Sequence, residues 1–220
     1  MDLNFNIVSS NLPTLWQGLQ ITVASFLLAL AIGLPLGALL TLCRLRRAGA
    51  IERAARTYVT LFRAIPEMVL IFWMYYCLPV LTASKISGFW SGSIGLGFVA
   101  AAFLCEVFRG GVNAVPKGQW EAANALALPR TALWFRIIVP QAARLSLPPF
   151  INYMTELLKA TTLLATIGVA DLALQAYLLG AQTFRYFEFL TAIAVVYFVV
   201  IFPIARFSEH MERRLAGEKG

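Results

Sequence analysis

Charged residues are scarce in this chain of 220 residues, at 13% of the sequence, whereas soluble domains carry about 25%. Hydrophobic residues make up 60%, and the mean hydropathy is +0.74. A chain with so little charge and so many apolar residues is not expected to fold as a soluble domain. The composition therefore indicates an integral membrane protein with several spans.

Histidine and cysteine, which often build catalytic and metal sites, are also rare. The chain has one histidine, His210, and three cysteines that lie far apart without a CxxC pair, Cys43, Cys77 and Cys105. It lacks the GxxxxGK[ST] pattern of a phosphate-binding loop, and the glycines of residues 92–97 do not have the spacing of a dinucleotide loop. We therefore expect no metal, no cofactor and no catalytic site in this chain, so any ATP must be bound by another subunit.

Long uncharged runs recur along the sequence. They cover residues 3–43, 68–84, 86–105 and 189–205, and a less uniform segment at 145–170 contains Glu156 and Lys159. Such runs favour helices, since about 20 apolar residues cross a membrane, whereas barrel strands would alternate over about ten residues. We predict an all-α integral membrane protein with about five transmembrane helices. These spans and their loops fill residues 1–220, which predicts a single membrane domain.

Basic residues predict the orientation of the spans, because short loops rich in Lys and Arg stay on the cytoplasmic side. Of the 18 basic residues, Arg63 and Lys159 are set aside as membrane-embedded, which leaves 14 on one side against Lys85 and Arg185 on the other. The 14 are Arg44, Arg46, Arg47, Arg53, Arg56, Arg109, Lys117, Arg130, Arg136, Arg144, Arg206, Arg213, Arg214 and Lys219. We predict an external N-terminus and a cytoplasmic C-terminus. This topology accounts for the net charge of +7, so nucleic-acid binding is not expected.

A polar and amphipathic segment, residues 118–142, interrupts the apolar sequence. A helix that starts at Gly118 carries Trp120, Ala123 and Ala127 on one face, because these residues recur at helical intervals. A membrane protein has little reason to expose such a segment unless a soluble partner binds it. We therefore predict that this face docks on another protein.

The second half of the segment predicts another helix. Pro129 fits its first turn, where a missing N–H is no loss, and Leu133, Trp134 and Ile137 form its apolar face. Pro140 is predicted to end the element before the next span. The two helices would form a helix-turn-helix on the cytoplasmic side, and a partner that held it in a groove could move it.

Several ordered motifs resemble those of permease subunits in binding-protein-dependent ATP-binding cassette (ABC) importers. The EAA loop of these subunits is matched by Glu121, Ala122, Ala123 and Ala127, followed by Ile138, Val139 and Pro140. Motifs of the polar amino-acid branch are matched between about Leu19 and Arg206: FRxxP by Phe62, Arg63 and Pro66, E-x-x-R-G-G by Glu106, Arg109, Gly110 and Gly111, and K-x-T-S-L by Lys159, Thr161, Thr162 and Leu163. Two positions depart from the family pattern, since Ala127 replaces the usual Gly and Thr162 the usual Ser.

The resemblance implies the fold of type I ABC importer permeases (MetI-like), with a transmembrane domain at residues 19–207 and a cytoplasmic EAA coupling loop at residues 117–140. In that family two permease subunits, identical or sister chains, form a path across the bacterial inner membrane, in contact with lipid. ATPase subunits bind ATP and Mg²⁺ and hold the EAA loops, and a periplasmic solute-binding protein delivers the substrate. The residues implied in coupling to the ATPase are Gly118, Gln119, Glu121, Ala122, Ala123, Ala127 and Pro140.

Ionisable residues inside the predicted spans are candidates for the substrate path, because each costs about 2.5 to 3.5 kcal/mol there unless it is paired or hydrated. The candidates are Arg63, Glu67, Glu106, Glu156 and Lys159, together with the hydroxyl residues Thr161 and Thr162. Glu106 can instead form a structural pair with Arg109 at a helix end. We favour Arg63 and Glu67 as the substrate neighbours.

Two of these candidates have a simpler interpretation. Glu156 and Lys159 are three residues apart on one helix face and can pair with each other. Arg63 precedes Pro66, which is expected to interrupt a helix and free backbone groups to face a cavity. Arg63 then either binds a substrate carboxylate or extends to the cytoplasmic interface.

The substrate expected from the resemblance is a polar amino acid. The FRxIP element and an aromatic-rich helix that ends at Leu78 and Pro79 look most like acidic amino-acid permeases. Basic amino acids and opine-type derivatives are the alternatives, and an ATPase-independent channel or a membrane enzyme is a remote one. Separately, Gly33 and Gly37 form a GxxxG step, which predicts either a close contact within a dimer or a glycine pair that is merely tolerated in the membrane.

Overall fold

The computed structural model describes residues 3–46 and 49–217, with side chains as far as residue 214. Every regular element within these ranges is helical, which confirms the all-α prediction. Arg47 and Lys219, two of the basic residues used to predict the orientation, lie outside the described residues.

Short connections join the helices along the chain. The helices are α1 (Asn6–Ser10), α2 (Leu12–Arg44), α3 (Ala50–Ala64), α4 (Glu67–Phe72), α5 (Leu78–Thr82), α6 (Gly88–Asn113), α7 (Lys117–Ala125), α8 (Arg130–Ala132), α9 (Val139–Ala160), α10 (Leu172–Thr183) and α11 (Tyr186–Gly217). Two π-helical turns, Trp73–Cys77 and Leu133–Ile138, join α4 to α5 and α8 to α9, and a 3₁₀ helix, Thr161–Ile167, continues α9.

Among the described helices, α2, α6 and α11 are each long and apolar enough to cross a membrane. Two bent pairs add up to two more spans: α3 meets the helical residues 67–82 at 101°, and the helical residues 130–167 meet α10 at 49°. Counting each bent pair as one span gives five, the predicted number. The first bend lies at Ile65 and Pro66, whose backbones are extended, because proline disfavours a helical conformation in the residue before it.

Small residues bring α2 and α6 into close contact. A Cβ atom added to Gly33 would lie 2.6 Å from Ala100 Cβ, and one added to Gly37 would lie 2.9 Å from Leu104 Cβ. Neither glycine has room for a side chain, because these distances are well inside van der Waals contact. Both sequence-based interpretations of the GxxxG step are therefore wrong: the step is required, and it packs against α6 of the same chain.

A buried polar cluster connects the start of α10 to α2. Asp171 is fully buried, and its Oδ1 accepts the N–H of Leu174 at 2.8 Å, so that it caps α10. Thr22 Oγ1 accepts the N–H of Leu172 at 3.1 Å. The absence of a side chain at Gly18 admits the carbonyl of Asp171, which would lie 2.9 Å from an added Cβ. These contacts hold α10 at its angle to the preceding helix.

Contacts between elements assign the two ends of the helix bundle. At the end where α2 begins, the N–H of Asn4 donates to Glu188 Oε1 at 3.3 Å, and Glu188 also pairs with Arg185. At the end where α2 finishes, Arg44 pairs with Glu106 of α6. Arg44 and Arg185 therefore lie at opposite ends of the bundle, as the predicted orientation requires.

Candidate functional site

The predicted EAA loop, residues 117–140, turns sharply after α7. The helix ends in a Schellman motif, in which the N–H of Leu128 donates to the carbonyl of Ala123 and the N–H of Ala127 to the carbonyl of Asn124, both at 3.0 Å. The motif requires a left-handed residue, and Ala127 has a φ of 49°. Glycine, the usual residue of the resembled family, adopts this conformation without strain. The chain therefore keeps the turn with alanine at a small conformational cost.

The two helices of the EAA loop share a buried apolar core. Ala123 and Ile138 are buried in this core, and the rings of Trp120 and Trp134 meet edge to face with their centroids 5.6 Å apart. The docking face predicted at Trp120 and Ala123 is therefore wrong, because these two residues pack inside the chain. Their apolar contacts hold the loop in one shape.

The remaining surface of the EAA loop is exposed. It includes Gly118, Gln119, Glu121, Ala122 and Ala127 of the predicted coupling residues. Leu126 and Phe135 are also 72% and 73% exposed, and the sequence analysis missed them. Helical periodicity could have identified them, because neither residue lies on the helix face that carries Trp120 or Trp134.

Pro140 does not end a helix, contrary to the prediction. Ile138 and Val139 keep helical backbone angles, so α8, the π-helical turn and α9 form one continuous segment. Pro140 lies in the first turn of α9. The π-helical turn before it shifts the backbone hydrogen bonds from the i−4 to the i−5 carbonyl, so the helix continues through the proline. The EAA loop is therefore joined to α9 by a continuous helical segment, which contains Pro148 and Pro149 farther along.

A cavity of about 690 Å³ lies between α3, α6 and α9 at the end of the bundle that carries the EAA loop, and Glu212 of α11 also lines it. We call it the Arg63 cavity; its lining includes Arg63, Phe103, Glu106 and Asn152. The guanidinium carbon of Arg63 lies 5.2 Å from the centroid of the Phe103 ring. In the described part of the chain, no carboxylate lies within ion-pair distance of Arg63.

Glu106 is held by two arginines in this cavity. Its Oε2 accepts from Nε and Nη2 of Arg109 at 3.0 and 2.6 Å, and its Oε1 accepts from Arg44. The side chains of Glu106 and Arg44 are only 20% and 13% exposed. The predicted pair with Arg109 is confirmed, and Arg44 is a partner that the sequence analysis missed. With both oxygens of Glu106 engaged, Arg63 is the cation of this cavity that is available for a substrate.

A second cavity, of about 300 Å³, lies between α4, α6 and α9. We call it the Glu67 cavity; its lining includes Glu67, Tyr153, Glu156, Lys159 and Thr162. The Nζ of Lys159 lies 2.6 Å from Glu156 Oε1, which confirms the predicted pairing. Glu67 has no ion-pair partner within residues 3–46 and 49–214. Its carboxylate is therefore free to bind a positively charged group.

The two threonines of the candidate path have different environments. Thr161 is fully buried, and its Oγ1 donates to the carbonyl of Leu158 at 2.7 Å, so it does not line the Glu67 cavity. Thr162 does line the cavity, and its Oγ1 donates to the carbonyl of Lys159 at 2.8 Å. Threonine in place of the family's serine therefore keeps a hydroxyl at the cavity wall.

Arg63 and Glu67, the favoured substrate neighbours, do not share a cavity. The 101° bend at Pro66 separates them, and each lines a different cavity. The Glu67 cavity can bind an ammonium or guanidinium group, and the Arg63 cavity can bind a carboxylate. Within the described residues, no group of three or more His, Cys, Asp or Glu side chains is arranged to hold a metal ion.

Comparison with known proteins covers almost the whole chain. The family described as "Binding-protein-dependent transport system inner membrane component" matches residues 33–217. The arginine transport system permease protein ArtQ of Bacillus subtilis (strain 168) is 32% identical over 215 residues, which cover 98% of each chain. The putative glutamine transport system permease protein GlnP of Rickettsia bellii (strain RML369-C) is 32% identical over 199 residues, covering 90% of this chain and 91% of that protein.

A solved structure agrees with these relatives. The crystal structure of an amino acid ABC transporter with histidines matches with a TM-score of 0.89 and 30% sequence identity, over 97% of this chain and 100% of that chain. The match confirms the predicted fold of ABC importer permeases. The family match also includes the EAA loop and all the lining residues of both cavities. This chain therefore belongs to the inner membrane components of binding-protein-dependent transport systems.

Proposed function

We propose that this chain is the permease subunit of an ATP-driven importer for polar amino acids in the bacterial inner membrane. The observation that carries the proposal is the Glu67 cavity, where a free carboxylate lies beside the Glu156–Lys159 ion pair within the predicted spans. Ionisable groups at membrane depth mark substrate pathways more often than structural positions. A second copy or a sister permease would complete the path, and a periplasmic solute-binding protein would deliver the amino acid.

The EAA loop is proposed as the docking site of the ATPase subunit, which would bind ATP and Mg²⁺. The loop has a rigid core at Trp120 and Trp134 and exposes Glu121 and Leu126. Because the loop continues into α9 without a break, a displacement of the loop is transmitted to α9, in which Pro148 and Pro149 are points where the helix can bend. α9 carries Glu156 and four further lining residues of the Glu67 cavity, so ATPase motion would reach the substrate site directly.

The charge balance of the Glu67 cavity favours a cationic or neutral amino acid. Glu156 and Lys159 neutralise each other at 2.6 Å, which leaves Glu67 as the available charge. An amino or guanidinium group would form a charge-assisted hydrogen bond with Glu67. The relatives named for arginine and glutamine are consistent with this preference. Acidic amino acids are the second candidate, because Lys159 in the same lining can bind a carboxylate if it leaves Glu156.

Coupling is tested by reversing one charge on the exposed part of the EAA loop. We expect Glu121→Lys to release the co-purifying ATPase or to abolish solute-stimulated ATP hydrolysis in proteoliposomes, because the substitution places a cation in the proposed docking surface. The matched control is Glu209→Lys, an equally exposed reversal on α11, which should leave both properties unchanged. Retention of a fully stimulated ATPase by Glu121→Lys would show that this loop is not the coupling site.

The substrate is tested by comparing arginine, glutamine and glutamate as stimulators of ATP hydrolysis in the complex with its solute-binding protein. We expect arginine to stimulate hydrolysis, and Glu67→Gln to raise the arginine concentration needed by about tenfold, the loss expected for one charged hydrogen bond. Glu209→Gln is the control for removing a carboxylate elsewhere. Stimulation by glutamate alone would contradict the cationic preference and favour the acidic alternative, whereas stimulation by none of the three would contradict both substrate candidates.

A further inference from the structure

Two stacked rings stand between the Arg63 cavity and the Glu67 cavity. Phe103 of α6 lines the first cavity, and Tyr153 of α9 lines the second. Their ring centroids are 5.2 Å apart, and the planes differ by only 15°. Both side chains are half-buried, so each ring faces open space on one side and its partner on the other. The stacked pair therefore joins the wall of one cavity to the wall of the other.

Arg63 contacts the stacked pair from within the Arg63 cavity. The guanidinium of Arg63 covers the Phe103 ring, and this cation–π contact is the interaction that the structure describes for that guanidinium. A carboxylate that enters the cavity offers Arg63 a bidentate, charge-assisted pair, which is stronger than a contact with an aromatic face. Such a carboxylate would therefore draw Arg63 away from Phe103.

We propose that the Phe103–Tyr153 stack is the gate between the Glu67 cavity and the Arg63 cavity, and that Arg63 holds this gate closed. An amino acid in the Glu67 cavity binds Glu67 through its positive charge. When the rings part transiently, its carboxylate reaches the Arg63 cavity and pairs with Arg63, which then leaves Phe103, so that the rings stay apart and the solute passes. The inference rests on the proposed function, since it assumes an amino acid as the solute. It adds a positioning role for Arg63 and a barrier role for the two rings.

The helix that carries Tyr153 also explains how ATP binding would open the gate. Tyr153 lies on α9, which is continuous with the EAA loop, whereas Phe103 lies on α6, whose opposite face is packed tightly against α2. A shift of the loop therefore moves Tyr153 relative to Phe103. The stack is a joint between a helix that can move with the ATPase and a helix that is fixed in the bundle.

The gate is tested by chemical access from the cytoplasmic side in inside-out vesicles of the intact complex. A single cysteine, Thr162→Cys in the Glu67 cavity, reports passage across the gate, in a background with the three native cysteines replaced by serine. The probe is the thiol reagent 2-(trimethylammonium)ethyl methanethiosulfonate, whose fixed charge prevents it from crossing the bilayer. Because the reagent reacts only while the gate is open, the labelling rate follows the open fraction. A second reporter, Asn152→Cys in the Arg63 cavity, should label rapidly in every variant and shows that the reagent reaches this cavity from the cytoplasmic side.

We expect Phe103→Leu and Tyr153→Leu to raise the labelling rate of Thr162→Cys by about tenfold, since a closed gate admits the reagent only through a minor state. Tyr153→Phe keeps the ring and should label at the original rate. Arg63→Gln leaves both rings in place but removes the cation, and a smaller increase of about threefold is expected. The matched control is Phe108→Leu, which disrupts the Phe108–Phe150 stack, a ring pair at 6.4 Å that lines neither cavity.

Equal labelling of Thr162→Cys in the original background and in Phe103→Leu, with normal labelling of Asn152→Cys, would overturn the gate. An unchanged rate in Arg63→Gln would overturn the role of Arg63. The assay requires no transported solute, so it separates this inference from the proposed function, which fails instead if amino acids do not stimulate ATP hydrolysis.

Discussion

Helix α6 presents two contrasting faces to its neighbours. Toward α2 it carries Gly97, Ala100 and Leu104, which leave no space between the two helices. Toward α9 it carries Phe103, which lines the Arg63 cavity, and it packs closely on α9 only farther along, at Gly111. One helix thus serves as a fixed wall on one side and as part of the substrate path on the other. Residue size decides between these roles, because small residues let two backbones approach closely, whereas rings and charged side chains hold them apart.

The largest effect is expected from enlarging the tightly packed face. Gly33→Val places branched carbon atoms where a single Cβ would already lie 2.6 Å from Ala100, so we expect a loss of about 3 kcal/mol in stability, at the upper end for overpacking. The measurement is the thermal unfolding midpoint in detergent. Gly110→Ala is the matched control on the open face, where an added Cβ meets nothing within 4 Å, and it should leave the midpoint unchanged or slightly raised. A fully stable Gly33→Val protein would show that α2 and α6 are not packed this closely.

An intermediate effect is expected from the charged residues that line the two cavities. Glu106→Gln weakens the contacts to Arg44 and Arg109 in a largely buried cluster, and we expect a loss of about 2 kcal/mol. Glu156→Gln is the comparison, because its pair with Lys159 is exposed, with 65% and 48% of the two side chains accessible. The expected loss there is less than about 0.5 kcal/mol. Equal losses in the unfolding midpoints would remove the distinction between a structural ion cluster and a cavity ion pair.

The smallest effect is expected at the turn of the EAA loop, which continues into α9, the helix that lies on the cavity side of α6. Ala127→Gly relieves a left-handed alanine and should raise stability by about 0.5 kcal/mol, since part of the gain is offset by the greater entropy of glycine in the unfolded chain. Ala125→Gly is the matched control within α7, where glycine should lower stability by a similar amount. The unfolding midpoints of the two variants should therefore move in opposite directions. A shift in the same direction would argue against the Schellman turn at Ala127.

Several features of the fold and site were predictable from local sequence. The apolar runs predicted the long helices, because hydrocarbon burial requires a minimum helix length. Pro66 predicted the break between α3 and α4, since proline restricts the residue before it. The Glu156–Lys159 pair follows from a spacing of three residues on one helix. Each of these predictions concerns residues that are close together in the chain.

Features that depend on distant neighbours were not predictable in the same way. Arg44 pairs with Glu106 across 62 positions in sequence, and hydropathy alone assigned this arginine only to a cytoplasmic loop. The docking face predicted at Trp120 was wrong because helical periodicity identifies an apolar face but not the surface that covers it. Pro140 was expected to end a helix, yet the preceding π-helical turn lets the helix continue.

The sequence by itself determined the membrane class, the helical spans, the family motifs and the pairs of residues within one helix, because these depend on composition and on short-range geometry. Only the tertiary structure decided that Gly33 faces α6, that Arg63 and Glu67 line separate cavities, and that Phe103 and Tyr153 stand between them. The physical reason is that close packing of helices depends on which faces meet. That choice is made by the shapes of residues far apart in the chain, and no local pattern contains it.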